Sequence, residues 1–147
     1  MEAKSTKRTT KKDYRKAIIE GYKQEILETG VSPKSIFKFA KGLRMKESDF
    51  YNYFTSFDAI KSAIWMDILE TTLEAVEGQE VFKEYSAREK FLSFLFTWIE
   101  ELKNNRSYLL SIYSDTQMSL GKLPGEIKDF KERFKDFANE IIVEGKE

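Results

Sequence analysis

The side chains best suited to chemistry lie between Lys34 and Lys61, where cations, hydroxyls and an amide alternate with aromatic rings. Cations and hydroxyls bind phosphate, and short polar side chains such as Ser48 and Asn52 reach the edges of bases. This chemistry favours binding of nucleic acid. The candidate DNA-binding residues are Lys34, Ser35, Arg44, Lys46, Glu47, Ser48, Tyr51, Asn52, Tyr53 and Lys61.

Enzymatic chemistry has little support in the sequence. There is no histidine and no cysteine, which excludes thiolate zinc sites, disulfides, cysteine nucleophiles and histidine-dependent acid–base catalysis. Glu100 and Glu101 lie among cations on a predicted helix, and Gly30 and Gly42 form no phosphate-binding loop. We predict that the protein is not an enzyme and uses no cofactor and no metal.

The net charge of zero conceals a polarised chain. Residues 1–55 hold 13 Lys and Arg against 7 Asp and Glu, a net of +6, whereas residues 56–147 hold 12 against 18, a net of −6. Such asymmetry favours a nucleic-acid-facing N-terminal part, although an uneven solvated surface explains the same counts.

Residues 1–12 read as a flexible basic arm, which either reaches a DNA groove or is a solvated tail. This N-terminus has no apolar core typical of a secretory signal. The densest apolar stretch, Phe91 to Ile99, is much shorter than the roughly 20 residues of a membrane span. We predict a cytoplasmic protein with no membrane partner.

Apolar residues recur at helical spacing and none alternate at period two, so we predict an all-α fold of about seven helices. Ser32 and Ser56 are predicted N-caps of the second and fourth helices, and Ser86 with Glu89 forms a predicted capping box. The helix from Ser86 to about Lys103 is apolar on more than one side and is expected to be buried between neighbours. Residues 13–55 are predicted to form a helix-turn-helix domain, and residues 56–147 a helical bundle for ligand binding and dimerisation.

The sequence from residue 14 to about residue 66 resembles a known family. Phe39-Ala40, the following turn, and the run Phe-Tyr-Asn-Tyr-Phe-Thr-Ser-Phe-Asp-Ala-Ile at 50–60 are similar to the signature of tetracycline-repressor-like regulators. In that family an aromatic pair ends the recognition helix of a helix-turn-helix and a short polar stretch opens the fourth helix.

The resemblance implies a repressor that binds a palindromic DNA operator as a homodimer and is released by a small ligand bound in each C-terminal bundle. It implies that Ser35 contacts phosphate, that residues 46–48 lie at the entrance of the major groove, and that Tyr51 and Tyr53 contact backbone and bases. The alternative is a helical ligand-sensing or dimerisation protein that has lost DNA binding.

Several residues depart from the family pattern. Arg44 occupies the turn position usually held by glycine, and Phe57 stands where a phosphate-binding lysine is usual, with Lys61 one turn later. Glu47 and Asp49 put two carboxylates on the proposed reading helix. They would repel phosphate or accept hydrogen bonds from cytosine, and Asp49 has the further option of lying against Lys46 or Lys41.

An apolar ligand pocket is the other candidate site. Its candidate residues are Trp65, Phe91, Phe94, Trp98, Tyr108 and Tyr113, for which the alternative is a place in the hydrophobic core. The resembled family normally has two further long helices that pair across a dimer. We therefore expect either a shortened chain, in which the stripe of Phe130, Phe134 and Phe137 is incompletely covered, or a last helix that does this work.

Overall fold

The computed structural model describes residues 11–114 and 128–145, with the side chains of residues 14–112 and 128–145. Residues 1–10, most of the predicted basic arm, lie outside the described residues. In the described ranges the chain forms helices and no strand, which confirms the predicted all-α fold. The helices are α1 (Lys11–Thr29), α2 (Ile36–Gly42), α3 (Glu47–Tyr51), α4 (Phe57–Glu77), a 3₁₀ helix (Glu80–Glu84), α5 (Ala87–Asn104), α6 (Arg106–Ser114) and α7 (Lys128–Gly145).

The chain divides into two compact units, one ending at Ile60 and the other beginning at Lys61. The division falls inside α4. No helix of the described ranges is long and apolar enough to cross a membrane. Those same ranges contain no group of three or more acidic side chains placed to hold a metal ion.

Serine side chains cap the starts of α2, α4 and α5. The predicted caps at Ser56 and Ser86 are confirmed, because Ser56 Oγ accepts from Ala59 N at 3.2 Å and Ser86 exchanges both capping-box bonds with Glu89. The predicted cap at Ser32 is wrong. Ser35 caps α2 instead, accepting from Lys38 N at 3.2 Å, while Ser32 Oγ lies 3.2 Å from the hydroxyl of the buried Tyr22. The Ser32 hydroxyl, which the local pattern predicted to be the cap, is instead in tertiary contact with Tyr22.

The second unit is built around the packing of α5 on α7. The rings of Phe94 and Phe137 lie 4.9 Å apart at this contact, and both side chains are fully buried. Phe134 of α7 also packs on Phe94, with ring centroids 5.6 Å apart, and Phe130 packs on Trp98 at 5.7 Å. The α7 stripe therefore packs against α5, with Phe137 fully buried and Phe130 and Phe134 only partly buried, as expected for an incompletely covered stripe.

The prediction that α5 is buried between neighbours is wrong for its outer side. Leu92, Phe96 and Ile99 are 42%, 70% and 47% exposed, although the inner residue Phe94 is fully buried. Residues 92, 96 and 99 share one helical face at spacings of four and three. In the described part of the chain, α5 carries one apolar face in the core and a second at the surface.

The turn after α2 is a Schellman motif with an arginine at its left-handed position. Arg44 has a φ of 59°, Met45 N donates to Ala40 O at 3.1 Å, and Arg44 N donates to Lys41 O at 3.0 Å. Met45 is buried beneath the turn. Glycine normally fills this position because a Cβ is unfavourable in the left-handed region. The arginine departs from the family pattern in residue type, while the backbone conformation that glycine favours is retained.

Arg44→Gly is expected to raise the free energy of unfolding by up to about 1 kcal/mol, because relief of the left-handed strain exceeds the extra backbone entropy of glycine. Arg44→Val is expected to lower it by about 1 kcal/mol or more, since a β-branched residue tolerates this conformation poorly. Urea unfolding without DNA measures both. Equal stability of the two variants would show that the turn relaxes to another conformation.

Candidate nucleic-acid interface

An aromatic cluster fixes the short helix α3. Phe50, near the end of α3, is fully buried, and its ring lies 6.0 Å from Phe39, 5.8 Å from Phe57 and 6.2 Å from Phe54. A helix of five residues is not stable alone in water, because so few hydrogen bonds do not offset the cost of nucleation. The cluster therefore supplies the stability that α3 lacks and fixes which of its faces points outward.

Phe57 belongs to this cluster and not to the exposed surface. It is half-buried and contacts Tyr22, Phe39 and Phe50, with ring centroids at 6.1, 5.4 and 5.8 Å. The family pattern has a lysine at this position, so the aromatic substitution exchanges a phosphate ligand for packing. The departure is visible in the sequence, whereas the packing role of Phe57 is visible only in the structure.

The two carboxylates of α3 have different environments. Asp49 Oδ2 accepts a hydrogen bond from the backbone N of Lys46 at 2.9 Å and so caps the helix N-terminus, where a negative charge is also favoured by the helix dipole. This confirms the alternative that Asp49 lies against Lys46. Glu47 is exposed in the first turn of the same helix. Of the two acidic residues, Glu47 is the one presented to the surface.

The exposed side of α2, the turn and α3 is rich in cations and small polar groups. The candidate DNA-binding residues that are exposed are Lys34, Arg44, Lys46, Glu47, Ser48, Tyr51 and Asn52. Lys38 and Lys41 are also exposed on α2, and they are not among the candidates predicted from the sequence. The spacing of positions 34, 38 and 41 would have revealed them, since residues three and four apart share a helix face.

The other candidates have more restricted positions. Ser35 has its hydroxyl engaged as the cap of α2, at the helix end where backbone N–H groups favour anions. Tyr53 is half-buried, and the pKa of its hydroxyl is raised by burial and by the nearby Tyr14 and Asp49. Lys61 begins the second unit and is half-buried.

Helix α3 follows α2 after a tight turn and is held from behind by buried rings, which is the arrangement that the predicted helix-turn-helix requires. Comparison with known proteins adds evidence from the other part of the chain. Residues 90–147 match the family model described as the tetracyclin repressor-like C-terminal domain. The C-terminal part of the chain is therefore similar to the C-terminal domain of tetracycline-repressor-like proteins. The matched segment does not overlap residues 14–66, which carry the resemblance in the helix-turn-helix. No curated protein and no solved structure matches the chain.

The aromatic residues proposed for a ligand pocket divide between core and surface. Phe94 and Tyr108 are buried, Trp65 and Trp98 are half-buried against Phe130, and Phe91 is 37% exposed. The side chain of Tyr113 lies outside the described residues. Two cavities in the second unit are lined by other residues, so ligand binding by these aromatic side chains stays a prediction.

Restoring the family's lysine by Phe57→Lys is expected to lower the free energy of unfolding by about 3 kcal/mol, because it removes three ring contacts and buries part of a cation. Phe37→Lys is the matched control, since Phe37 lies on α2 with 58% of its surface exposed and should be nearly neutral. Thermal and urea unfolding measure both. Unchanged stability of Phe57→Lys would contradict the assignment of Phe57 to the core.

Proposed function

We propose that this protein is a DNA-binding transcription regulator, without enzymatic activity, that binds a palindromic operator as a homodimer through α2 and α3. The observation that carries the proposal is the exposed polar side of α3, with Ser48, Tyr51 and Asn52, held from behind by the fully buried Phe50. A helix supported in this way can enter a major groove about 12 Å wide and read base edges.

Electrostatics supports phosphate binding around the reading residues. The accessible cations on α2, the turn and α3 are Lys38, Lys41, Arg44 and Lys46, with Lys34 just before α2. Asp49 is occupied by its capping bond, which leaves Glu47 as the exposed carboxylate of α3. Cations hold the backbone and set the register on the duplex, while α3 supplies the specificity.

The first test is selection of the purified protein on random DNA duplexes, followed by a salt titration of the enriched sequence. We expect a palindrome, with binding that weakens steeply as salt rises. Tyr51→Ala combined with Asn52→Ala should lower the affinity at least tenfold with the fold retained. Val81→Ala is the control, because Val81 is as exposed as Tyr51, at 49%, but lies in the 3₁₀ helix.

Glu47 distinguishes an active reading helix from one that has lost DNA binding. Glu47→Gln is expected to raise the affinity for all duplexes a few-fold, because one carboxylate near phosphate costs about 1 kcal/mol in water. Glu28→Gln, an exposed carboxylate near the end of α1, is the control. If a correctly folded protein enriches no sequence and Glu47→Gln gains no affinity, the ligand-sensing alternative replaces the proposal.

For homodimerisation, the outer face of α5 is the proposed interface. Leu92, Phe96 and Ile99 are exposed in line on this face. In an antiparallel pairing of two α5 helices centred on Phe96, Glu89 and Lys103 are equally spaced on either side and so pair with each other across the axis. A stable interface buries about 800 Å² per partner, so this stripe would form the centre of a larger contact.

Phe96→Asp is expected to shift the protein toward monomer, raising the dimer dissociation constant at least tenfold, because it puts a charge at the centre of an apolar contact. Leu110→Asp is the control, since Leu110 is 56% exposed on α6, outside the stripe. Sedimentation at micromolar concentration measures both. Dimerisation that survives Phe96→Asp would exclude this face as the interface.

A further inference from the structure

A cavity of about 650 Å³ opens between the beginning of α5 and the end of α7. It lies wholly within the second unit. Its lining combines three cationic side chains, Lys83, Arg88 and Lys90, with the single carboxylate of Glu144 and the less polar surfaces of Tyr85 and Ala87. The charge around this cavity is therefore predominantly positive, in contrast to the acidic composition of residues 56–147.

Lys90 is the unusual residue of this cavity. Only 8% of its surface is exposed, and its ammonium group is hydrogen-bonded to the carboxylate of Glu144. The same ammonium lies 5.3 Å from the centroid of the Phe82 ring, in cation–π contact. A buried ammonium is costly unless an anion accompanies it, so this position demands a negative partner.

Glu144, the negative partner of Lys90, lies at the exposed end of α7, where another anion could replace it. Glu144 is the next-to-last residue of α7, and 59% of its side chain is exposed although its oxygen contacts Lys90. The adjacent Gly145 approaches Ala87 so closely that an added Cβ would lie 2.8 Å from the Cβ of Ala87. The ion pair and this close approach hold the last turn of α7 against the first turn of α5.

We propose that this cavity binds a small organic carboxylate, whose anionic group replaces Glu144 at the ammonium of Lys90. Arg88 and Lys83, both exposed at the rim, would attract the anion, and its organic part would lie on Tyr85 and Ala87. The capping box already occupies the N-terminus of α5, so the proposal depends on the side chains and not on the helix end.

Exchange of one carboxylate for the other would release the last turn of α7 from α5. Such a ligand would bind more tightly when the last turn of α7 is released than when it is held by α5. A difference in affinity for two conformations is what allows a ligand to shift the equilibrium between them. The proposed binding of a carboxylate is inferred from the residues of the cavity alone. Its use to control DNA affinity rests on the proposed function.

Chemical rescue tests the site directly. Glu144→Ala is expected to lower the melting temperature by several degrees, because Lys90 loses its anion, and acetate at about 100 mM should restore at least half of that loss. Sodium chloride at equal ionic strength should restore much less. Glu140→Ala is the matched control, since Glu140 is an exposed carboxylate on the same helix; it corrects for general stabilisation by acetate.

The double variant Lys90→Met with Glu144→Ala is expected to fold, because an apolar side chain of similar length replaces the buried cation, and to show no rescue by acetate. On the unaltered protein, calorimetry should detect binding of benzoate, little binding of the uncharged benzamide, and at least a tenfold loss of benzoate affinity in Lys90→Met. These measurements contain no DNA, so their outcome is independent of whether the protein binds an operator.

Three results would overturn the carboxylate site. The first is equal rescue of Glu144→Ala by acetate and chloride, which would indicate a response to ionic strength alone. The second is equal acetate stabilisation of Glu144→Ala and Glu140→Ala. The third is failure of benzoate to bind the unaltered protein, or binding that persists in Lys90→Met. If benzoate binds as expected but leaves DNA affinity unchanged, the site stands and its regulatory use is rejected.

Discussion

The packing of Phe50 into a cluster of aromatic rings is the interaction on which the candidate interface depends. A helix of five residues has too few internal hydrogen bonds to persist alone, so its existence and orientation are set by tertiary contacts. Phe39, Phe54 and Phe57 surround Phe50, and aromatic pairs in such geometries contribute about 1 kcal/mol each beyond their burial. The polar face of α3 is therefore presented by a rigid support, which reduces the ordering that DNA binding would require.

The features that depart from the family pattern become intelligible once this support is considered. Phe57 adds a ring to the cluster at the position of a lysine, and Asp49 caps the helix that the cluster holds. Arg44 keeps the left-handed turn that brings the chain from α2 to α3 and adds an exposed cation to this segment. Each of these three residues therefore contributes packing, capping or positive charge within the same short segment.

The sequence predicted features that depend on local patterns and missed those that depend on distant contacts. The caps at Ser56 and Ser86 are set by hydroxyls whose hydrogen-bond partners lie within three residues. Ser32 had an equally good local pattern, but its hydroxyl lies beside Tyr22, ten residues earlier, and the cap moved to Ser35. Among the residues proposed for DNA binding, the exposed ones were recognisable from residue type, whereas the core role of Phe57 required knowledge of which rings meet.

Helix α5 illustrates the same dependence on distant contacts. Its sequence is apolar around much of its circumference, and composition alone does not say which apolar residues find a partner within the chain. The structure assigns Phe94 to the core and leaves Phe96, two residues later, 70% exposed. The same helix holds its one buried cation, Lys90, against a carboxylate from α7. Because core packing requires neither an apolar outer stripe nor a buried charge beside a cavity, both features favour contacts with molecules outside the folded chain.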